Sequence, residues 1–275
     1  MKKEPIIILG GDKRQEYIYT VLSEDGYCCE LVNKSTEQLN EKLSECRYVI
    51  LPVPASKDNE KIYCKNENFK LSCPTLVEML SADQIVFGGG LGKELTYQLE
   101  RKRIVYYDLN SNEDFLVYNA FLTAQGALLL LLSNTEKEVS RCKALITGFG
   151  RTGKALSLAL SRLNISVTVC ARKDSQHNIA QCIGFNTVNY YELIEAVKDK
   201  DFIFNTVPER VFASEHIKRM KKNAVYFELA SSPYGADKTL FSAYGLKHID
   251  GSSLPGRFVP YSAGKKIAKT IEKLI

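Results

Sequence analysis

The sequence predicts an α/β protein of two doubly wound, parallel-sheet domains joined by long helices. Three observations predict it. Short apolar runs alternate with amphipathic ones from Pro5 to Tyr107 and again from Ala144 to Ile249, as in strand–helix–strand units. Each set opens on a strand that ends in glycines, at Gly10-Gly11 and at Gly148-Phe-Gly-Arg-Thr-Gly153. An Ala- and Leu-rich stretch of helical pattern lies between the two sets.

Composition bounds the reading. A chain of 275 residues can form one large or two medium domains. With 45% hydrophobic and 25% charged residues it is an ordinary globular sequence. The net charge of +5 is modest and no Lys/Arg run marks a nucleic-acid stripe. Eight cysteines without a CxxC pair and three widely separated histidines exclude the usual zinc spacings, so no metal is expected. Without a signal peptide at its start, the chain is expected to be cytoplasmic with reduced thiols. The longest aliphatic run, Ala127 to Leu132, is too short to cross a bilayer, so no membrane partner is expected.

Taken in order, Pro5 to Leu9 is a buried strand, followed by Gly10-Gly-Asp-Lys-Arg-Gln15 and a helix carrying Tyr17, Ile18, Val21 and Leu22. Asp12 and Gln15 stand where a dinucleotide fingerprint needs its second and third glycines, so this unit is a poor pyrophosphate site. Asp12 and Arg14 are either a helix cap with an ion pair or a ligand pair at the strand's carboxyl end. Strands follow at Cys28–Val32, Tyr48–Val53, Gln84–Phe87 and Ile104–Tyr107. Residues 57–70 are charged and read as an exposed loop. Gly88 to Gly92 is either a ligand-approach loop, with Lys93 for an anion, or a plain turn. The linking helix begins near Asn119, and Asn119, Thr123 and Gln125 are polar residues in apolar company.

The second set opens on the strand Ala144–Thr147, then G-x-G-x-x-G over Gly148, Gly150 and Gly153, a helix, and the strand Ser166–Cys170. In that context Gly148 permits the turn, Gly150 the approach of a pyrophosphate, and Gly153 close helix packing. The amides of Phe149, Arg151 and Thr152 open the helix whose N-terminus receives the charge. After the second strand, Ala171-Arg172-Lys173 and Ser175 stand where an NAD site would carry an acid. Two cations and a hydroxyl suit a 2′-phosphate, which favours NADP. Asn205-Thr206-Val207-Pro208 ends a later strand and is expected beside the nicotinamide. Further strands at Ala224–Leu229 and Leu246–Ile249 lead to Arg257 and a helix over 262–274. The division expected is residues 1–118 for a Rossmann-like substrate or catalytic domain, 119–138 for the linking helix, 139–258 for the NADP domain, and 259–275 for a helix returning to the first domain. The cleft between domains is the default active site.

Several stretches together resemble one family, the A subunit of dipicolinate synthase of spore-forming bacteria. They are Gly10–Gln15, Ile50–Val53, Asn119–Gly126, Gly148–Gly153, Ala171-Arg172, Asn205–Pro208, Glu228–Ser231 and Leu254–Gly256 through Ala263-Gly264. The resemblance implies an NADP-dependent oxidoreductase making pyridine-2,6-dicarboxylate, working with a flavoprotein-like B subunit in the mother cell. Three departures stand out. The family's Pro-Thr-x-Glu-Gly is here Leu122-Thr-Ala-Gln125-Gly126, its Ala-Pro-Lys-Thr-Ala-Gly is Val259 to Gly264 with Tyr261 for lysine, and its Pro-Gly-Gly is Pro233-Tyr234-Gly235.

A substrate with two carboxylates requires two anion sites, for which planar guanidinium groups are best. Asp12, Arg14, Asn119, Gln125 and Arg257 are therefore the candidate catalytic residues, with Lys93 as a further cation. Aromatisation of the ring supplies driving force, so positioning can carry most of the catalysis and a neutral Gln125 is tolerable. Two other readings are carried: a catalytically weakened NADP-binding regulatory subunit, and an NADP-dependent reductase of another cyclic or keto acid, as in shikimate dehydrogenase-like proteins. A homodimer is left open.

Overall fold

The structure, a computed structural model, describes residues 4–275, which divide into two compact units. One comprises the chain through Asn119 together with Val259–Ile275, the other Ala120–Phe258.

The first unit holds a parallel sheet of β1 (Ile6–Leu9), β2 (Cys29–Val32), β3 (Tyr48–Ile50), β4 (Ile85–Gly88) and β5 (Val105–Asp108), in the order β2-β1-β3-β4-β5. This is a doubly wound order whose direction reverses between β1 and β3, so the loops after those two strands border the expected ligand crevice. Ile6 to Leu9 are fully buried because helices cover both faces of the sheet. Asp12 caps α1 (Lys13–Glu24), its carboxylate accepting from the Arg14 amide.

Residues 57–70 are not simply an exposed loop. Ile62 and Phe69, with Leu71 just beyond, enter the core, and Tyr63 O accepts from the Gly11 amide at 2.6 Å while Lys65 N donates to Gly11 O at 2.7 Å. The few aliphatics of this charged segment are what anchor it.

The linking helix, α5 (Glu113–Leu132), starts six residues before Asn119. Its start signal is local: Asn112 Oδ1 accepts from Phe115 N at 2.9 Å, and Glu113 and Asp114 occupy the positive first turn. With 20 residues and a mean hydropathy of 1.8, α5 is long and apolar enough to cross a membrane, which the short Ala127–Leu132 run did not suggest. Here Phe115 packs in the first unit's core and Ala124, Ala127, Leu130 and Leu131 in the second's.

The second unit's sheet contains β6 (Lys143–Thr147), β7 (Ser166–Cys170), β8 (Asn186–Val188), β9 (Phe202–Asn205), β10 (Val225–Glu228) and β11 (Lys247–Asp250), ordered β11-β10-β9-β6-β7-β8. Read from β8, this is the Rossmann order, with the reversal between β6 and β9. Leu254–Phe258 forms a short helix between β11 and the last helix.

The last helix starts at Pro260 rather than Ser262 and runs to Ile271; proline is pre-organised for a first helical turn. It packs on α1 at Gly264, where a Cβ would lie 2.7 Å from Arg14 O and 2.8 Å from Tyr17 Cβ. Gly264→Ala should therefore destabilise the chain by about 1–3 kcal/mol through overpacking. An unchanged urea midpoint would show that the contact relaxes without penalty.

Candidate active site

The fingerprint turn is built by close approach. Gly148 has φ +89°, and a Cβ there would sit 2.6 Å from Thr206 Oγ1 and 2.8 Å from Val207 Cγ2. A Cβ on Gly153 would run into Gly148 O, so only glycine lets α6 (Arg151–Ser161) start against the strand. At Gly150 a Cβ meets nothing within 4 Å. The turn is thus packed on its protein side and open at Gly150, beside the first-turn amides of an 11-residue helix. These residues fit a dinucleotide pyrophosphate.

Not every candidate faces that opening. The Phe149 side chain is 1% exposed and packs edge-on against Phe185, leaving only its backbone for a ligand. Asn205 is fully buried, with its amide consumed by protein: Oδ1 accepts from Thr147 Oγ1 at 2.6 Å, and Nδ2 donates to Glu228 Oε1 at 2.6 Å and Val207 O at 2.9 Å. This corrects the expectation that Asn205 lines the nicotinamide pocket; it holds the turn that presents Thr206, Val207 and Pro208. Thr206 Oγ1 donates to Thr147 O at 2.7 Å, tying that turn to β6.

Glu228, Tyr226 and Thr147 complete this network and were not singled out from sequence. The buried Glu228 carboxylate also accepts from Tyr226 OH at 2.9 Å, Gly235 N at 2.8 Å and Ala230 N at 3.2 Å. Burial, then the Glu228 charge, pushes the Tyr226 phenol well up, so it remains a donor. A polar residue in the last position of each of three strands was the available signal.

Beyond β7, Ala171 is buried and its carbonyl lies 3.0 Å from His177 Nε2, which fixes the turn. Arg172, Lys173 and Ser175 are exposed. Arg172 Nη2 lies 3.5 Å from Glu209 Oε1, and both side chains are more than half exposed. Such a pair is weak, so it leaves the guanidinium available to an anion.

In the first unit, Arg14 and Asp12 form a buried bidentate pair, Nε to Oδ1 and Nη2 to Oδ2 both at 2.8 Å. Burial raises the Asp12 carboxyl, but hydrogen bonds and charge from Arg14 outweigh it and hold it below its ordinary value. Lys57 adds a smaller effect in the same direction, and its Nζ sits 3.9 Å from the Tyr63 ring centroid. Lys57 and Tyr63 lay hidden in the charged loop. With Arg14 paired to Asp12, Lys57 is the cation in excess at the end of β1.

The Gly88–Gly92 loop is a structural turn. Asp108 accepts from Gly90 N at 2.9 Å and Leu91 N at 3.1 Å, and a Cβ on Gly89 would meet Val53 at 2.8 Å. Lys93 begins α4 (Lys93–Arg101), exposed to solvent. Asn119 closes the first unit on α5 and is half-buried, whereas Gln125 lies exposed in the second. Arg257, expected as a carboxylate clamp, instead holds its own turn: Nη1 donates to Asp250 O at 2.9 Å and Ser252 O at 3.2 Å.

The first unit's sequence, residues 5–110, matches the family model of the N-terminal domain of the dipicolinate synthase A subunit. Along 98% of its length the chain is 26% identical to the dipicolinate synthase A subunit of Bacillus subtilis (strain 168), covering 95% of that protein. The chain is similar to the dipicolinate synthase A subunit along nearly its whole length. Residues 123–254 match the D-isomer specific 2-hydroxyacid dehydrogenase, NAD binding domain family. Crystal structures of the dipicolinate synthase A subunit from Bacillus halodurans and Bacillus subtilis superpose with TM-scores of 0.86 and 0.84 at 21% and 24% identity. They cover all of this chain and 98% and 96% of theirs, which shows a shared fold. As in those structures, two parallel-sheet α/β domains make up the chain, and its dehydrogenase-type second domain makes it an oxidoreductase with a nicotinamide cofactor.

Asp12 supplies a pH test. Its lowered carboxyl stabilises the fold above the unfolded value of about 3.9, and that contribution is lost as pH falls through the folded value. Asp12→Asn, which leaves Arg14 buried without its partner, should cost about 3 kcal/mol at neutral pH, with the gap closing in acid. Urea titrations at both pH values check it; a gap independent of pH would refute the ion-pair account.

Proposed function

We propose that the chain is the NADP-dependent subunit of a dipicolinate synthase, oxidising dihydrodipicolinate or its hydrated precursor to dipicolinate during sporulation. The observation that carries this reading is similarity to the dipicolinate synthase A subunit along nearly the whole chain, not over the nucleotide domain alone. On this reading a flavoprotein-like B subunit is the partner and the mother-cell cytoplasm the location.

NADP, when bound, supplies the hydride acceptor. The residues of the chain hold and orient. The amides of Phe149 to Gly153 receive the pyrophosphate, with Gly150 allowing its approach. Arg172 and Lys173, with Ser175, take the 2′-phosphate, with Asp174 at the start of the next helix and the weakly held Glu209 as the nearby carboxylates. Thr206, Val207 and Pro208 border the nicotinamide. In the first unit, Arg14 and Lys57 supply positive charge for a substrate carboxylate, while the Asp12 pair keeps the guanidinium in one rotamer. Asn119 is the remaining polar candidate there. This division assigns residues 1–118 to substrate and 139–258 to cofactor.

A second reading, a regulatory NADP-binding subunit, draws on Gln125, which is exposed and has no side-chain hydrogen bond among the described residues, and on Arg257, whose Nη1 is engaged by its own turn. Gln125→Glu separates the two. A gain of about 10²-fold or more in rate would mark a decayed general base, whereas no change in an active enzyme supports positioning.

Turnover is measured as the nicotinamide absorbance change when the chain and its B subunit meet dihydrodipicolinate and NADP. Absence of turnover despite NADP binding would refute the synthase reading. Arg172→Asp should lower the preference for NADP over NAD by roughly 10- to 100-fold, the loss of one charged hydrogen-bond donor plus an added repulsion. An unchanged preference would place the 2′-group elsewhere.

A further inference from the structure

The acid that a NAD site carries at the end of its second strand is missing after β7, but the fold brings one there from another segment. Glu209 follows β9, far along the chain from Arg172, and its Oε1 stands 3.5 Å from Arg172 Nη2. Tyr190, in the turn after β8, feels both charges. Burial and then Cys170 push its phenol up, Arg172 opposes them, and Glu209 adds to the rise. The segments after β7, β8 and β9 thus converge beside one guanidinium.

The backbone around Glu209 is anchored on both sides. Before it, Thr206 Oγ1 donates to Thr147 O at 2.7 Å, and the ring of Pro208 fixes its own φ. After it, Val211 N and Phe212 N both donate to Gly235 O at 2.9 Å, and the Phe212 side chain is buried in the core. The neighbouring charges do not satisfy its carboxylate. Arg210 acts on Asp237 and Tyr226 instead, and Lys173 and Asp174, beside Arg172, offset each other in charge. Among the described residues Arg172 is the ion-pair partner of Glu209. Because the pair is exposed and weak, either group can turn to a ligand at little cost.

The two groups have opposite preferences at a cofactor ribose. A carboxylate accepts from a 2′-hydroxyl and repels a 2′-phosphate, whereas a guanidinium binds the phosphate. We propose that Glu209 is a specificity-determining residue of the cofactor site: its carboxylate accepts from the ribose 2′-hydroxyl of NAD and turns away when Arg172 takes the 2′-phosphate of NADP. The inference rests on the NADP reading above. It adds that Glu209 restrains that preference, so that the same site also binds NAD. Since acid and guanidinium stand on different segments, the acid can be removed without altering the turn after β7.

The test measures binding to the full chain by isothermal titration calorimetry, with NADP, NAD, 2′,5′-ADP and 5′-AMP as ligands. The last two differ only in the 2′-phosphate. Glu209→Gln removes the charge, keeps the size and lies on the surface. It should tighten NADP and 2′,5′-ADP about fivefold and weaken NAD and 5′-AMP about twofold, moving the preference by about tenfold. The gain for the 2′-phosphate ligands should shrink at high salt. An unchanged preference, or an equal change for all four ligands, would overturn the role of Glu209. Arg172→Asp separates this outcome from the cofactor reading. If it lowers the preference for 2′,5′-ADP while Glu209→Gln leaves it unmoved, the NADP reading stands and only Glu209 falls; if neither variant moves it, both fall.

Discussion

The buried carboxylate of Glu228 is the constraint on which the cofactor edge depends. It ends β10 at 3% exposure and accepts hydrogen bonds from the Asn205 side chain, the Tyr226 phenol and the backbone amides of Ala230 and Gly235. Asn205 passes the constraint to Thr147 at the end of β6. The carboxyl ends of three adjacent strands are thereby locked by side chains, beyond the ladder bonds of the sheet. A buried charge is tolerable only where its lone pairs are met, and here several strong donors meet it. The consequence is functional: Gly148, Thr206 and Val207 are held in mutual contact, so the turn that receives a dinucleotide is fixed before anything binds.

The two units solve the same topological problem in different ways. Each has a glycine-bearing turn after its first strand, at the point where strand order reverses. In the second unit the turn is open at Gly150 and leads into a helix N-terminus. In the first, the backbone of residues 63–65 pairs with Gly11 and Asp12 brings a negative charge to the helix start. One turn is left open at Gly150; the other is occupied by protein and keeps its charged groups, Asp12 and Arg14, clamped to each other. Asp12 meets the charge of Arg14, so Lys57 is left as the excess positive charge beside the pair.

Much of the fold was legible because its signals are local. Strands buried on both faces are continuous apolar runs, and Gly148 to Gly153 obey a spacing set by backbone geometry. Helix starts were less legible: the apolar pattern of α5 becomes regular only near Asn119, while its true start rests on Asn112 as a cap and an acidic first turn. Of the candidate site, the fingerprint and Arg172-Lys173 could be named from spacing alone. Asn205 and Arg257 have structural tasks where ligand contacts were expected, since a polar residue at a strand end looks the same in sequence whether it meets a ligand or a neighbouring loop.

The sequence by itself determined the class of fold, the presence of a dinucleotide fingerprint and the lack of an acid at the end of β7, because each depends on residues within about one strand–helix–strand unit. Only the tertiary structure decided which polar groups remain available. Asn205 meets Glu228 across 23 positions, and Lys137 meets Asp201 across 64. Whether a side chain is consumed or left to a ligand is settled by such long-range hydrogen bonds, and no local pattern carries them.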